Sequence, residues 1–146
     1  MRFSKIRDVK SPSRAYEADA GIDFYIPNDV IWETFTLAPG THITIPSGIR
    51  MEVPRDAALI AYEKSGVAVK SGLITGARVV DSGYQGEINI HLVNPTNKPV
   101  IITRGQKIIQ FLLVPIVHSE LIETSNKDIH PIASSRGTGG FGSSGS

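Results

Sequence analysis

Apolar residues recur at every second position along much of this chain, and proline or glycine breaks the alternation before any run grows long. Ile49, Met51 and Val53 alternate with Arg50 and Glu52 until Pro54 stops the run, and Ile88, Ile90 and Leu92 alternate with Glu87, Asn89 and His91. A period of two puts successive side chains on opposite faces of a strand, so both segments read as half-buried strands with one wet face. Ala57 to Tyr62, Val100 to Thr103 and Ile108 to Val114 are more continuously apolar, as expected of strands covered on both sides. Pro39-Gly40, Pro46-Ser47-Gly48, Pro54, Asn94-Pro95 and Arg104-Gly105 read as turns. Ser65 to Gly72 is the one stretch suited to a helix, about two turns long. Many short strands with regular turn signals predict a β-sandwich, jelly roll or small barrel.

The chain has 146 residues, of which 40% are apolar, enough for one domain with its own core. Fifteen basic against fourteen acidic residues leave a formal charge of +1. That balance predicts no bulk attraction to nucleic acid or to an anionic membrane, so any phosphate chemistry must be local. With no cysteine, disulfides, thiolate metal sites and cysteine nucleophiles are excluded. Met1 to Lys10 lacks the apolar stretch of a signal peptide, and no window approaches the ~20 apolar residues of a membrane helix. The expectation is a soluble, intracellular and cytoplasmic protein that is not secreted.

One segment departs from the strand pattern. Residues 136–146 read RGTGGFGSSGS, with Phe141 as the single large apolar side chain. Such a segment cannot bury enough surface to hold itself in place, so a ligand is needed to order it. Gly137, Gly139 and Gly142 match G-x-G-x-x-G, but a dinucleotide-binding fold requires a helix after this pattern and only four residues follow. Composition alone reads as a flexible linker. The detail reads as a phosphate lid: Arg136 supplies a guanidinium fork, the glycines admit close backbone approach, Ser143 and Ser144 add hydroxyl donors, and Phe141 offers a face for a base. The division expected is therefore a β domain over 1–135 with a lid over 136–146.

Two further clusters carry chemistry. In GARVVDSGYQGE, from Gly76 to Glu87, Ser82-Gly83 reads as the tip of a tight hairpin with Asp81 and Tyr84 beside it. Asp81 reads either as a turn residue or as a carboxylate, ionised above its ordinary pKa of about 3.9, that takes a proton from water. In EKSGVAVKSG, Ser65 and Gly66 stand where a short helix begins, with Ser65 as its N-cap, a position that binds anions or simply caps. The four histidines have no metal-ligand spacing and read as surface or satisfied residues. Neither a G-x-S-x-G elbow nor a Walker A pattern is present.

Taken in order, five segments resemble the motifs of the homotrimeric dUTPases: AGIDF from Ala20, EKSGVA from Glu63, VVDSGYQGE from Val79, GQKIIQF from Gly105 and RGTGGFGSSG from Arg136. The resemblance spans nearly the whole chain. It implies an all-β, jelly-roll-like distorted barrel with at most one short helix, assembled as a homotrimer whose active sites take motifs from neighbouring chains. It implies hydrolysis of dUTP to dUMP and pyrophosphate, which limits uracil incorporation into DNA, with Mg2+ held by the triphosphate and its waters. Asp81 matches the carboxylate that activates water against the α-phosphorus. Tyr84 matches the ring that packs on deoxyribose and leaves no room for a 2′-hydroxyl. Val79 and Val80 match the backbone that reads the uracil edge, with Asn89 on the facing strand. Lys64, Ser65, Gly66 and Gln110 match phosphate contacts, and Asp23 matches a supporting carboxylate. Arg136 matches the γ-phosphate clamp, Phe141 the cover over the base, and Gly142, Ser143 and Ser144 the rest of the phosphate cradle.

The chain departs from that pattern at particular positions. Lys64 and Lys107 stand where arginine is usual, Glu63 where proline is usual, and Gly83 where aspartate is frequent. Arg78 stands where glycine is usual, in the segment set against the base, so its guanidinium is a candidate for a base edge or phosphate. These departures leave two alternatives to dUTP hydrolysis. One is a pyrophosphatase for dCTP, for both nucleotides or for a modified pyrimidine nucleotide. The other is a binding or regulatory module without turnover.

Overall fold

The structure is a computed structural model that describes residues 1–140; the expectations for Phe141, Gly142, Ser143 and Ser144 lie outside the described residues. Eleven short strands and one short helix make up the regular structure of those residues. The strands are β1 (Phe3–Lys5), β2 (Gly21–Tyr25), β3 (Thr34–Leu37), β4 (His42–Pro46), β5 (Ile49–Met51) and β6 (Ala57–Glu63). After helix α1 (Ser65–Ser71) come β7 (Ile74–Thr75), β8 (Val79–Val80), β9 (Asn89–Val93), β10 (Val100–Thr103) and β11 (Lys107–Pro115).

All pairings are antiparallel, as the alternation predicts. The largest sheet has the order β2-β11-β6-β8, and a second has the order β4-β9-β7; β1-β5 and β10-β3 are two-stranded ribbons. The two larger sheets bury a shared core. Phe24 of β2, Ile109 and Phe111 of β11, Leu59 and Ala61 of β6 and Val80 of β8 meet Ile45 of β4 and Ile90 and Leu92 of β9. Phe24 and Phe111 stack with tilted rings, their centroids 4.6 Å apart, which adds specific geometry to the apolar burial. The predicted turns at Gly48 and Gly105 are present, both in the left-handed region at φ 76° and 74°.

The structure corrects the sequence reading in three places. The arms flanking Ser82-Gly83 are not a paired hairpin: the turn exists, closed by Tyr84 N–H donating to the Asp81 carbonyl at 3.1 Å, but β8 pairs with β6 instead. Burial explains this, because pairing with β6 places Val80 in the core while the polar arm that follows has no apolar face to bury. Ser65 is the first residue of α1 and Lys64 is its N-cap, with no side-chain cap bond. The helix ends as expected at Gly72, at φ 70°. Finally, β1 to β4 are not singled out in the sequence: β3 and β4 alternate over only four or five residues, and β1 and β2 carry no alternation. They are recognised through their partners: β2, for example, is buried on both faces next to β11.

Beyond β11 the described chain carries no strand or helix. Its links back to the body are Ile116 N–H to the Asp56 carbonyl and the His118 ring at the Arg55 carbonyl, while the hydrogen bonds of residues 119–140 are local. Val117, Leu121, Ile122 and Ile132 are almost fully exposed in this segment. No helix among the described residues is long and apolar enough to cross a membrane.

Candidate active site

Two hollows gather eight of the predicted site residues between them. Antiparallel pairing of β8 to β6 leads the chain into the Asp81 turn, and β9 returns beneath it. Ala77, Val79, Val80, Asp81, Tyr84, Ile88 and Asn89 line the resulting hollow of about 190 Å³. Val79, Val80, Asp81, Tyr84 and Asn89 are thus brought together as expected. Its floor is apolar through Val80 and Ile88, and its rim carries the Asp81 carboxylate, which is exposed and takes no hydrogen bond from the described residues. An apolar floor with one carboxylate at its edge accommodates a ring and presents an oxygen acceptor to whatever lies beside that ring.

Glu87 is the residue here that sequence reasoning missed. Its carbonyl accepts from Tyr84 Oη at 2.8 Å and from Asn89 Nδ2 at 3.2 Å, so one backbone oxygen orients both side chains. Its carboxylate accepts from Gly48 N–H at 2.7 Å and pairs with Arg7 at 2.7 Å, which pins the segment to the β4–β5 turn and the N-terminal region. The signal in sequence was its place as the last residue of VVDSGYQGE. Gly86 completes the arrangement, because a Cβ there would run into the Tyr84 phenol group.

The second hollow, about 380 Å³, is lined by Ala15, Asp19, Ala20, Gly21, Asp23, Lys64, Gln110 and Leu112. It gathers Asp23, Lys64 and Gln110, on β2, the start of α1 and β11. Asp23 sits opposite Gln110 in the β2–β11 register and is 3% exposed. A buried carboxylate must be paired, and Asp23 is paired twice: with Lys64 through one oxygen and with Lys107 through the other, at 2.9 Å. Burial opposes ionisation of Asp23, but the hydrogen bonds and charges of the two lysines outweigh it and hold the carboxyl below its usual range. The same contact pushes Lys107 up. Asp19, on the lining of the same hollow, balances the second lysine, so the site is charge-neutral overall, but an ammonium donating one bond to Asp23 has two more to give.

Gln110 donates from Nε2 to the Glu63 carbonyl at 2.9 Å, locking the approach to α1 onto β11 and leaving its amide oxygen toward Gly21. Ser65 and Gly66 are exposed, and their N–H groups find no acceptor among the described residues, since the first helical bonds run from Val67 and Ala68 to Lys64. Free N–H groups beside an ammonium group are an anion-binding arrangement.

Two predicted residues, Arg78 and Arg136, stand apart from both hollows, and one histidine departs from its expected reading. Arg78 turns its guanidinium away from the base-sized hollow onto Glu63 and the Thr75 carbonyl, so its side chain is committed to protein partners. Arg136 is exposed, and its Nε donates to the Gly139 carbonyl at 3.0 Å, in a local turn with no contact to either hollow. His91, expected to be a surface or satisfied residue, places Nε2 3.2 Å from His42 Nδ1, while its own Nδ1 is buried without a hydrogen-bond partner.

The comparisons agree on one family. The dUTPase family model matches residues 7–145. The deoxyuridine 5'-triphosphate nucleotidohydrolase of Mycolicibacterium vanbaalenii is 38% identical over 143 residues, covering 95% of this chain and 90% of that protein. The protein of the same name from Mycobacterium tuberculosis is 38% identical over 138 residues, covering 92% and 86%. In fold, the chain is similar to the dUTPase of Staphylococcus bacteriophage 80alpha solved with dUpNHpp, at a TM-score of 0.83 and 24% identity over 99% of this chain and 98% of that one. It is also similar to a variant dUTPase from phage phi11 of S. aureus, described with a structural Mg(II) ion, at a TM-score of 0.73 and 21% identity over 86% and 97%.

Proposed function

Because this chain belongs to the dUTPase family, we propose that it hydrolyses dUTP to dUMP and pyrophosphate, with Asp81 as the base that activates the attacking water. The observation that carries the reading is the hollow in which Asp81 and Tyr84 share a rim above Val80 and Ile88, with Asn89 on the facing strand. Uracil fits against the Val79–Val80 backbone and Asn89, and deoxyribose packs on Tyr84, whose ring leaves no room for a 2′-hydroxyl. As Asp81 takes the proton, the water oxygen bonds to the α-phosphorus and the bridging bond to the β-phosphate breaks, releasing pyrophosphate. A positioned general base contributes about 10²- to 10⁴-fold. The remainder comes from donors set around the charge that develops on the phosphates.

Among the described residues no three His, Cys, Asp or Glu side chains come together. We read Mg2+ as arriving on the triphosphate with its own waters, where it would neutralise phosphate charge. Lys64, Ser65, Gly66 and Gln110 supply the protein's phosphate contacts, with Asp23 aiming Lys64. Arg136 clamps the γ-phosphate, and Phe141, Gly142, Ser143 and Ser144 complete the closure, the last eleven residues acting as a lid on the β domain.

The separation of the two hollows supports assembly. Leu59 pairs with Val80, so Asp81 lies level with Ala58, six residues from Lys64 along β6 and onward. At about 3.3 Å per residue that is ~20 Å, much longer than a triphosphate. The Asp81 hollow and the Lys64 hollow of one chain therefore serve different nucleotides, and a complete site requires a second copy. The exposed Val117, Leu121, Ile122 and Ile132 are apolar surface suited to a neighbour. The assembly proposed is the homotrimer, acting inside the cell.

Pyrophosphate release across the four deoxynucleoside triphosphates and UTP, with Mg2+, tests the reading. Turnover confined to dUTP is expected, preference for dCTP overturns the base assignment, and binding without turnover of any nucleotide indicates a regulatory module.

A further inference from the structure

Two departures from the family pattern turn out to be partners. Glu63, where proline is usual, and Arg78, where glycine is usual, form an ion pair with Nη2 2.8 Å from Oε1. The same Glu63 oxygen accepts from the Thr75 N–H at 2.7 Å and from Thr75 Oγ1 at 2.9 Å, and Arg78 Nε donates back to the Thr75 carbonyl at 3.1 Å. Residues 63, 75 and 78 are thereby closed into one ring of hydrogen bonds around buried Thr75. Burial opposes the charge on Glu63, but the donors from Thr75 and the charge of Arg78 outweigh it, and the carboxyl lies below its usual range.

Inside that ring stands Ala77, at φ 45° the one non-glycine residue of positive φ among the described residues. An L-residue with a Cβ persists there only where its surroundings over-determine it. Its neighbours are held on both sides. Gly76 N–H donates to the His91 carbonyl at 3.1 Å, and the Arg78 carbonyl accepts from Ala61 N–H at 2.8 Å. Gly76 lies directly on the His91 ring, which a Cβ would strike. Ala77 is also a lining residue of the hollow that holds Asp81 and Tyr84.

We propose that the Glu63–Arg78 pair is a positioning clamp that holds Ala77 in its left-handed conformation and so fixes where the backbone of residues 77–79 meets the base. It acts on specificity through the backbone, without Arg78 touching substrate. The proposal rests on the reading of the Asp81 hollow as the nucleoside site.

The test uses the full chain as wild type, Glu63→Gln, Arg78→Gln, the double variant, and Arg78→Gln combined with Ala77→Gly. Steady-state kinetics are measured with dUTP and dCTP, and amide hydrogen exchange is followed over residues 74–80 without nucleotide. Each single variant is expected to raise KM for dUTP about tenfold, with kcat within about twofold, and to erode the preference for dUTP over dCTP by about the same factor. The double variant loses no more than either single one, since the two residues act as a unit. Ala77→Gly restores KM because glycine enters the left-handed region without the clamp. Exchange over 74–80 speeds up in the single variants while β9 is unchanged. Unchanged KM in the single variants, losses that multiply in the double variant, or a loss confined to kcat overturns the clamp. Wild type that ignores dUTP overturns the functional reading instead. The clamp is then judged on exchange alone, faster exchange upholding it and unchanged exchange refuting it.

Discussion

Lys107 Nζ lies 2.9 Å from Oδ2 of Asp23, and the other oxygen of that carboxylate holds Lys64. One buried acid thus fixes two cations, from β11 and from the start of α1, the second of them on the lining of the Lys64 hollow. Replacement by Asp23→Asn keeps the shape and removes the charge, leaving Lys64 without its anchor. The expected cost is about 2–3 kcal/mol of unfolding free energy, less than the ~3–5 kcal/mol of a fully buried broken pair because the lysines left behind are partly exposed. KM for dUTP should rise more than kcat falls if Lys64, as proposed, meets phosphate in ground state and transition state alike. Urea unfolding and steady-state kinetics check both, and a fully stable, fully active variant would remove Asp23 from this role.

The pH dependence follows from the same carboxylate. Asp23 and Glu63 both have folded values below their unfolded ones, which are about 3.9 and 4.3. Their contribution is therefore fully present above those unfolded values and is lost as pH falls through the folded ones. The stability gap between wild type and Asp23→Asn should be constant from pH 5 to pH 8, within about 0.5 kcal/mol, and should close below pH 4. A gap that instead opens on acidification contradicts the pairing. Urea midpoints taken at half-unit steps between pH 2.5 and pH 8 decide it, with about 10–15% uncertainty on each extrapolated value.

How much of this was legible beforehand depends on what each residue answers to. Strands with strict alternation, such as Ile90 and Leu92 of β9, are visible because one face meets water and the other the core. β2 is not, since Ile22, Asp23, Phe24 and Tyr25 are all buried and a strand covered on both faces has no period to read. The pairing partner of β8 was misjudged for a related reason: a turn signal at Ser82-Gly83 is local, whereas the choice of β6 over residues 84–87 is made by long-range burial of Val80. Asp81 and Tyr84 are recognisable as chemical types at a turn. Glu87 works through its main-chain carbonyl, which no side-chain pattern announces. The Glu63–Arg78 partnership joins positions fifteen residues apart, and either residue alone reads only as an exception.

Asp81→Asn isolates the chemical step. Amide replaces carboxylate at almost constant volume, so the hollow and the Tyr84 N–H bond to the residue-81 carbonyl persist. Turnover should fall by about 10²-fold or more, the contribution of a general base, while the dissociation constant for dUTP or an unhydrolysable analogue changes little. Calorimetric binding beside single-turnover kinetics separates these quantities. Undiminished turnover takes Asp81 out of the mechanism.

Tyr84 separates ring from hydroxyl. Tyr84→Phe keeps the face proposed to exclude a 2′-hydroxyl and loses the 2.8 Å tether to the Glu87 carbonyl, worth about 1 kcal/mol or some fivefold in KM. Tyr84→Ala removes the face itself, and the ratio of kcat/KM for UTP over dUTP should climb at least about tenfold, one well-packed contact's worth of discrimination. Competition between the two nucleotides in a single reaction reads the ratio directly. Equal discrimination by Ala and Phe means that sugar selection resides elsewhere.

The lid makes the sharpest demand on the assembly. Among the described residues, the core cluster extends no further along the chain than Phe111, and residues 119–140 hydrogen-bond among themselves. Truncation after Ser135 should therefore leave the fold, its melting temperature and the proposed trimer intact while activity falls by about 10²-fold through loss of alignment and closure. Loss of folding makes the segment structural instead of a lid. A mixing experiment then asks whose site the lid closes. Chains carrying Asp81→Asn keep the tail, and truncated chains keep Asp81; neither is active alone. Unfolded together and refolded as mixed trimers, they regain activity only if a tail closes over Asp81 of a neighbouring chain. If each tail served its own chain, every site in the mixture would lack either the base or the lid. Recovery is thus expected, rising with the proportion of mixed trimers, and its absence confines the lid to the chain that bears it.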